Sequence, residues 1–425
     1  MTQPFYRFRQ ARRVQKIMED YEGPTDDATS LLTDLGKDHG CPDWLSYPEM
    51  GSVEGAAADW QSHVGFSNAM DAPAPINIFI DFSNGPSLSM RRVYEFLLPN
   101  LTRHGAVLTE QIENADLIWQ PHGGWSYDPT PPKVDLPYVV SFHGATGWFV
   151  DYPLEYRSAD EALRQQAFVM RQFFTHQRDA NRVSRFIVPS FFAGRELQQS
   201  LGIPPDQISV IHHGVDFDVY HPQGERHEGV GYLHVIAQWR VIKNIDLVIQ
   251  AYQESGVSDP FTIIVQDWEP QNLPLNVRYV RGPLEPEELA KYYRGATALI
   301  FATLKETFGI PVAEAMACGC PVITSDNSAM QELFCDAAHL VNPFDVQSIA
   351  AGFQALQDGV YREHLKVASL LRVQSYTWKG AAQGYMRIFR QVAAEHAFRQ
   401  SKENVSASKE HQERRGGLWR RILGK

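Results

Sequence analysis

Two carboxylates flank a helix start in Lys305-Glu306-Thr307-Phe308-Gly309-Ile310-Pro311-Val312-Ala313-Glu314. Pro311 falls where a first helical residue is expected, which suits its fixed φ and missing N–H. The free amides of such a start, with the helix dipole behind them, form a site for phosphate. Glu314 then lies about one turn further in, roughly 5 Å along the axis. Acids on either side of a phosphate are placed to hold sugar hydroxyls. Taken alone, the pair is equally a loop acid and a dipole-favoured glutamate.

The elements around this segment alternate. Short apolar runs at Ile76–Asp81, Ala106–Thr109, Asp116–Trp119, Tyr138–Phe142, Phe186–Val188 and Ser209–His212 read as strands. Helical spacing falls between them at 88–104, 159–182 and 191–201. A polar stretch, 223–228, reads as a linker, and a second series follows. Its strands are Tyr232–Ala237, Thr262–Gln266, Val277–Val280, Ala298–Ala302, Pro321–Thr324 and His339–Val341. Its helices are expected near 244–254, 286–294, 311–317, 346–357 and 361–373. Buried strands alternating with helices indicate parallel sheets covered on both faces. Ligands of such sheets collect at the carboxyl ends of the strands. With two units in tandem, the space between them is the expected site.

The resulting organisation is α/β throughout, with an N-terminal extension over 1–75 and two doubly wound domains over 76–225 and 229–377. A helix over 378–400 and a basic, mobile tail over 401–425 complete it. Trp419, Ile422 and Leu423 stand among arginines in that tail, a pattern that suits weak peripheral contact with anionic lipid and equally a disordered basic end.

Composition narrows the function classes. The 425 residues carry 39 Lys plus Arg against 50 Asp plus Glu, a formal net charge of −11. That balance argues against a nucleic-acid partner. The four cysteines, at 41, 318, 320 and 335, are too few for a disulfide framework and suit a reducing cytoplasm. Neither an uninterrupted apolar span nor a secretory signal is expected. No cofactor and no metal are expected; Cys318-Gly319-Cys320 lacks a second ligand pair at zinc-like spacing.

The Lys305–Val322 segment resembles the signature of the retaining glycosyltransferases of family 4, which have the GT-B fold. Further matches are Val188-Pro189-Ser190, Leu201–Pro204, Ile208–Asp216, Lys243-Asn244, Pro283–Leu289 and Asp326–Glu332. The resemblance covers roughly 76–400 and is densest over 185–345. It implies two Rossmann-like domains facing across a cleft, with the C-terminal helix crossing back on the first.

What the resemblance implies for chemistry is transfer of a hexose from a UDP- or GDP-sugar to a carbohydrate, lipid or small-molecule acceptor. Glu306 binds hydroxyls of the transferred sugar, Glu314 the ribose, and the segment Thr307, Phe308, Gly309 and Ile310 the pyrophosphate. The resemblance implies that Lys243 neutralises the departing diphosphate, while Arg240, three residues ahead, either fills the phosphate role from a shifted loop or faces solvent. The family's Gly-Arg pair, about five residues ahead of this lysine, is replaced by Ala237-Gln238. His143, after a strand of the first domain, orients substrate, and Gly85 belongs to a loop near the phosphates. Asp216-Phe217-Asp218 has the form of a metal-binding pair, but an Asp after Gly-Val is expected there for structural reasons. Trp125, Tyr127, Trp148 and Tyr152 read as sugar-stacking or as packing residues. Two other functions stay open: a catalytically weak GT-B binding protein, favoured by the missing Gly-Arg pair, and a GT-B nucleotide-sugar epimerase.

Overall fold

The computed structural model describes residues 74–81, 88–123, 134–143, 182–237, 241–266, 268, 270 and 272–422, without the side chains of 88–89, 122–123, 200–201 and 407–422. Its contacts divide the chain into two units, with changes at Gly214/Val215 and at Thr377/Trp378.

The N-terminal unit holds β1 (Ile76–Ile80), α1 (Leu88–Arg103), β2 (Ala106–Thr109), β3 (Leu117–Gly123), β4 (Tyr138–Phe142), β5 (Arg185–Val188), α2 (Phe191–Leu201) and β6 (Ile208–Val210). All its strand pairs are parallel, in the order β2-β1-β3-β4-β5-β6. Every residue of β4 is buried, as expected of a strand covered on both faces. Ser190 caps α2 by accepting the Ala193 amide, and Gly202 ends it in the left-handed region.

The C-terminal helix α9 (Trp378–Ile422) belongs to this unit. Trp119 Nε1 donates to Ser141 Oγ at 2.8 Å, and Ser141 shares a 3.1 Å hydrogen bond with the Tyr385 hydroxyl. Tyr385 and Phe389 of α9 close on the Trp119 ring at 5.6 and 5.5 Å. The helix continues well past Arg399, so residues 401–422 are helical where the sequence suggested a tail. No proline interrupts the helix over 401–413.

The C-terminal unit holds β7 (Gly231–Val235), a 3-10 turn (Val241–Lys243), α3 (Ile245–Ser255), β8 (Phe261–Val265), β9 (Val277–Arg281), α4 (Pro286–Gly295) and β10 (Ala296–Phe301). It continues with α5 (Ile310–Ala317), β11 (Val322–Ser325), α6 (Ser328–Phe334), β12 (His339–Val341), α7 (Val346–Ala355) and α8 (Gly359–Arg372). The sheet is again parallel, in the order β12-β11-β10-β7-β8-β9. Succession runs one way from β7 through β9, then crosses to β10 on the other side of β7. The strand order therefore reverses between β7 and β10, where a crevice forms in sheets of this kind.

The segment 215–228 joins the C-terminal unit, so the change of unit comes before the polar stretch expected to be the linker. Its bonds explain this. Val215 donates its amide to Tyr376 O at 3.0 Å, and His227 donates to Lys291 O at 3.1 Å. Arg294 donates to the carbonyls of His221 and Glu225 at 3.3 and 2.6 Å. Cys318 and Cys320 are free and buried, which pushes the Cys320 thiol up to about 12. Cys335 is disulfide-bonded, a correction to the expectation of reduced thiols.

Gly295 makes the seat of the 215–228 segment. A Cβ there would stand 1.9 Å from His227 O, a backbone atom. Gly295→Ala is expected to destabilise the C-terminal unit by about 1–3 kcal/mol, as overpacking does, and a lowered denaturant midpoint would show it.

Candidate functional site

The carboxyl ends of β7 and β10 carry the two residues with most chemical potential. The turn after β7 ends on Lys243, and the loop after β10 carries Glu306. Lys243 Nζ donates to Glu306 Oε1, and both side chains are mostly buried, at 23% and 14% exposed. Nζ also lies 5.6 Å from the centre of the Phe301 ring. An ammonium carries three protons, so pairing with Glu306 leaves donors for a phosphate oxygen.

Asn244 fixes the lysine. It adopts φ 57, a left-handed conformation that asparagine tolerates better than most residues. Its side-chain amide donates to Ala302 O at 2.9 Å and to Pro343 O at 2.7 Å. The Ile242 carbonyl accepts the Leu304 amide at 2.9 Å. Three loops at the carboxyl end of the sheet are thereby tied together.

Glu306 is held from below. Its amide donates to Ser328 Oγ at 3.2 Å, and its carbonyl accepts the Ala329 amide at 3.2 Å. Asn327 Nδ2 donates to Leu304 O at 3.0 Å. Gly309 follows at φ 83 as the N-cap of α5. A Cβ there would meet Met330 Cε at 2.4 Å, so both backbone and space require glycine. Pro311 is the second helical residue, one later than expected, because the helix opens at Ile310. Thr307 and Ile310 are half-buried beside this helix start.

Phe308 is buried against Phe334 and Tyr376, with ring centres 6.4 and 5.4 Å away. Its side chain therefore anchors the loop, and only its backbone is offered to a ligand. Glu314 is buried inside α5 and accepts from the Tyr293 hydroxyl at 3.3 Å. Tyr293 carries no local signal of this role, because its contact with Glu314 joins two separate helices. Asn244 was visible beside Lys243, but its clamp was not.

In the N-terminal unit, His143 follows β4 and is half-buried. Its ring lies 5.0 Å from that of His213 and 6.4 Å from Tyr94. His213 also packs against Trp378, at 6.0 Å. Burial, with His212 adding to it, holds the His213 imidazole down to about 3. Asp216 Oδ1 accepts the Asp218 amide at 3.1 Å, which closes a local turn. Gly85, Arg240, Trp125, Tyr127, Trp148 and Tyr152 lie outside the described residues.

A sequence model described as "Glycosyltransferase Family 4" matches residues 62–219, and one described as "Glycosyl transferases group 1" matches 217–368. Together they span well over half of the chain. The chain belongs to the family 4, group 1 glycosyltransferases. This family 4 member is similar to the O-antigen chain mannosyltransferase B of Escherichia coli, 31% identical over 164 residues, 35% of this chain and 43% of the relative. It is also similar to a D-inositol 3-phosphate glycosyltransferase of Acidothermus cellulolyticus, 23% identical over 50% of this chain and 54% of the relative. The chain thus spans about half the length of these curated relatives. The HepE protein of Anabaena, solved in complex with UDP and glucose, superposes with a TM-score of 0.55 at 13% identity, over 74% of this chain and 100% of its own. The fold of this family member is GT-B, with two Rossmann-like units. Among the described residues, no helix is long and apolar enough to cross a membrane.

Two outcomes follow from the site's local structure. Asn244→Gly keeps the left-handed backbone but removes both amide bonds, and should lower stability in denaturant by about 1–2 kcal/mol. Asn244→Asp should cost more, because it turns an acceptor toward two carbonyls. For His213, the folded value lies below its ordinary 6.5, so the unfolded state takes up the proton first as pH falls. Its share of stability is complete above about pH 6.5 and falls by about 2 kcal/mol by pH 5. Denaturation at both pH values, beside His213→Asn with a flatter dependence, measures it.

Proposed function

We propose that this chain is a retaining, metal-independent hexosyltransferase. It moves a hexose from a UDP- or GDP-sugar to a glycan, lipid or small-molecule acceptor. The observation that carries the reading is the Lys243–Glu306 pair at the strand-order reversal, beside the Gly309 helix start. The named relatives support a sugar donor: one is a mannosyltransferase, and a structural neighbour was solved with UDP and glucose.

In this reading the diphosphate lies against the Gly309 and Ile310 amides, with Thr307 beside it and Lys243 on a phosphate oxygen. Glu306 accepts from hydroxyls of the hexose, and Glu314 from the ribose. The bond from the anomeric carbon to the phosphate oxygen breaks as the acceptor oxygen bonds to the same face. The acceptor proton passes to the departing phosphate. Charge grows on that phosphate in the transition state, where a fixed ammonium stabilises it most. Arg240 adds a second positive group, Gly85 lets the chain approach the phosphates, and His143 orients substrate. No cofactor enters this scheme. Weak peripheral contact with a membrane through the basic C-terminal end, and a cytoplasmic location, belong to the same proposal.

A catalytically weak binding protein is the second reading. Ala237-Gln238, in place of the family's Gly-Arg, favours it. The first experiment is titration of the chain with UDP, GDP, ADP and their sugar conjugates, followed by turnover with candidate acceptors in EDTA. We expect binding of one nucleotide class, and a product whose anomeric NMR coupling matches that of the donor. Lys243→Ala should lower kcat by about a hundredfold, and Glu306→Ala should remove preference for the sugar conjugate. Unchanged turnover in both variants would overturn the assignment. Binding without turnover would favour the second reading.

A further inference from the structure

Helix α6 opens against the local rules of helix starts. Its first residue, Ser328, stands at φ 55. Among the described residues, the other non-glycine positions with positive φ are Asn244, Asn272 and Asn276. Asparagine is the side chain that best tolerates this region after glycine, so serine holds it at greater cost. Asn327, just before, is the N-cap residue, yet its side chain makes no cap bond. Ser190, Asp345 and Asp358 do cap α2, α7 and α8. The Asn327 side chain is used elsewhere: Nδ2 donates to Leu304 O at 3.0 Å, and Oδ1 accepts the Ser328 hydroxyl at 3.2 Å. A left-handed serine beside a diverted N-cap is the kind of paired local conflict that a functional site sustains.

What the two departures produce is a connection. Ser328 Oγ accepts the Glu306 amide at 3.2 Å while its proton goes to Asn327, so one hydroxyl serves both as acceptor and as donor. From Asn327 the path runs to the Leu304 carbonyl, and the Leu304 amide donates to Ile242 O at 2.9 Å, one residue before Lys243. The Ala329 amide holds the Glu306 carbonyl at 3.2 Å. Both members of the Lys243–Glu306 pair therefore hang on one hydrogen-bonded path, and the Ser328 hydroxyl closes it. Without that hydroxyl the Glu306 N–H and Asn327 Oδ1 lose a partner together, and the glutamate leaves its register with the lysine. We propose that Ser328 is a positioning residue, which sets the Glu306 carboxylate against Lys243 so that the site prefers a nucleotide sugar to the bare nucleoside diphosphate. This inference rests on the assignment of Glu306 to the transferred hexose.

Ser328→Gly and Ser328→Ala test it as a pair, because both remove the hydroxyl while only glycine relieves the left-handed backbone. The glycine variant should be the more stable of the two, with the higher denaturant midpoint. Binding to the full chain is measured for UDP or GDP, whichever the unaltered chain takes, and for its sugar conjugate. In both variants the preference for the conjugate should fall about tenfold, with the bare nucleotide held within about twofold of the unaltered chain. The ratio is taken within one sample, so it does not depend on the fraction folded, and its loss should follow the hydroxyl and not the stability. Glu306→Ala should lose the same preference, and Ser328→Gly should add nothing in that background. Full preference in Ser328→Gly, with preference lost in Glu306→Ala, overturns this inference and leaves the hexose assignment standing. An equal loss of bare nucleotide and conjugate in Ser328→Gly also overturns it, since that marks a disturbed fold. Full preference in Glu306→Ala overturns the hexose assignment and this inference with it, as does an unaltered chain that binds neither nucleotide or shows no preference for the conjugate.

Discussion

Lys243 and Glu306 are 63 residues apart in the chain, and they meet because β7 and β10 are neighbours in the sheet. Every other feature of the C-terminal unit's site is arranged around that pairing. Asn244 sets the height of the lysine against β10 and the loop after β12, while Ser328 and Asn327 hold the loop of the glutamate. The pair lies where strand order reverses, so the two connections leave in opposite directions and open a crevice. A partly buried charge pair is costly unless well satisfied. Here the surrounding amides and hydroxyls bind the loops, which leaves the lysine protons to answer to a ligand.

The same economy appears in the N-terminal unit. Ser141 lies on a strand buried along its whole length, where an unpaired hydroxyl is expensive. Trp119 and Tyr385 satisfy it, and burial pushes the Tyr385 hydroxyl above its ordinary range, so it stays a neutral hydrogen-bonding group. Polar contacts and aromatic edges together dock the C-terminal helix at one register.

Much of this was legible in the residues. Short apolar runs such as Tyr138–Phe142 and Thr262–Gln266 can only be covered strands, and their alternation with helices made the parallel sheets readable. The Glu306–Glu314 segment announced its helix start through Gly309 and Pro311. What stayed hidden depends on contacts between distant segments. Nothing local distinguishes Tyr293 from its neighbour Tyr292, because its role arises from where Glu314 arrives. The segment 223–228 is polar and looked like a free connection, yet Gly295 lets its backbone settle onto α4. The Phe308 side chain, expected beside a ligand, is drawn inward by Phe334 and Tyr376.

The Ser141–Tyr385 hydrogen bond spans 244 residues, with the whole run from Val215 to Thr377 threaded between its partners. At ordinary rates of synthesis, roughly 12–50 s separate the emergence of the two residues from the ribosome. During that interval the N-terminal sheet exists with the Trp119 ring and the Ser141 hydroxyl uncovered by α9. The run from Val215 to Thr377 is complete first. The half of the molecule made earliest is therefore finished last, because its sheet is covered only when a helix from the far end of the chain arrives.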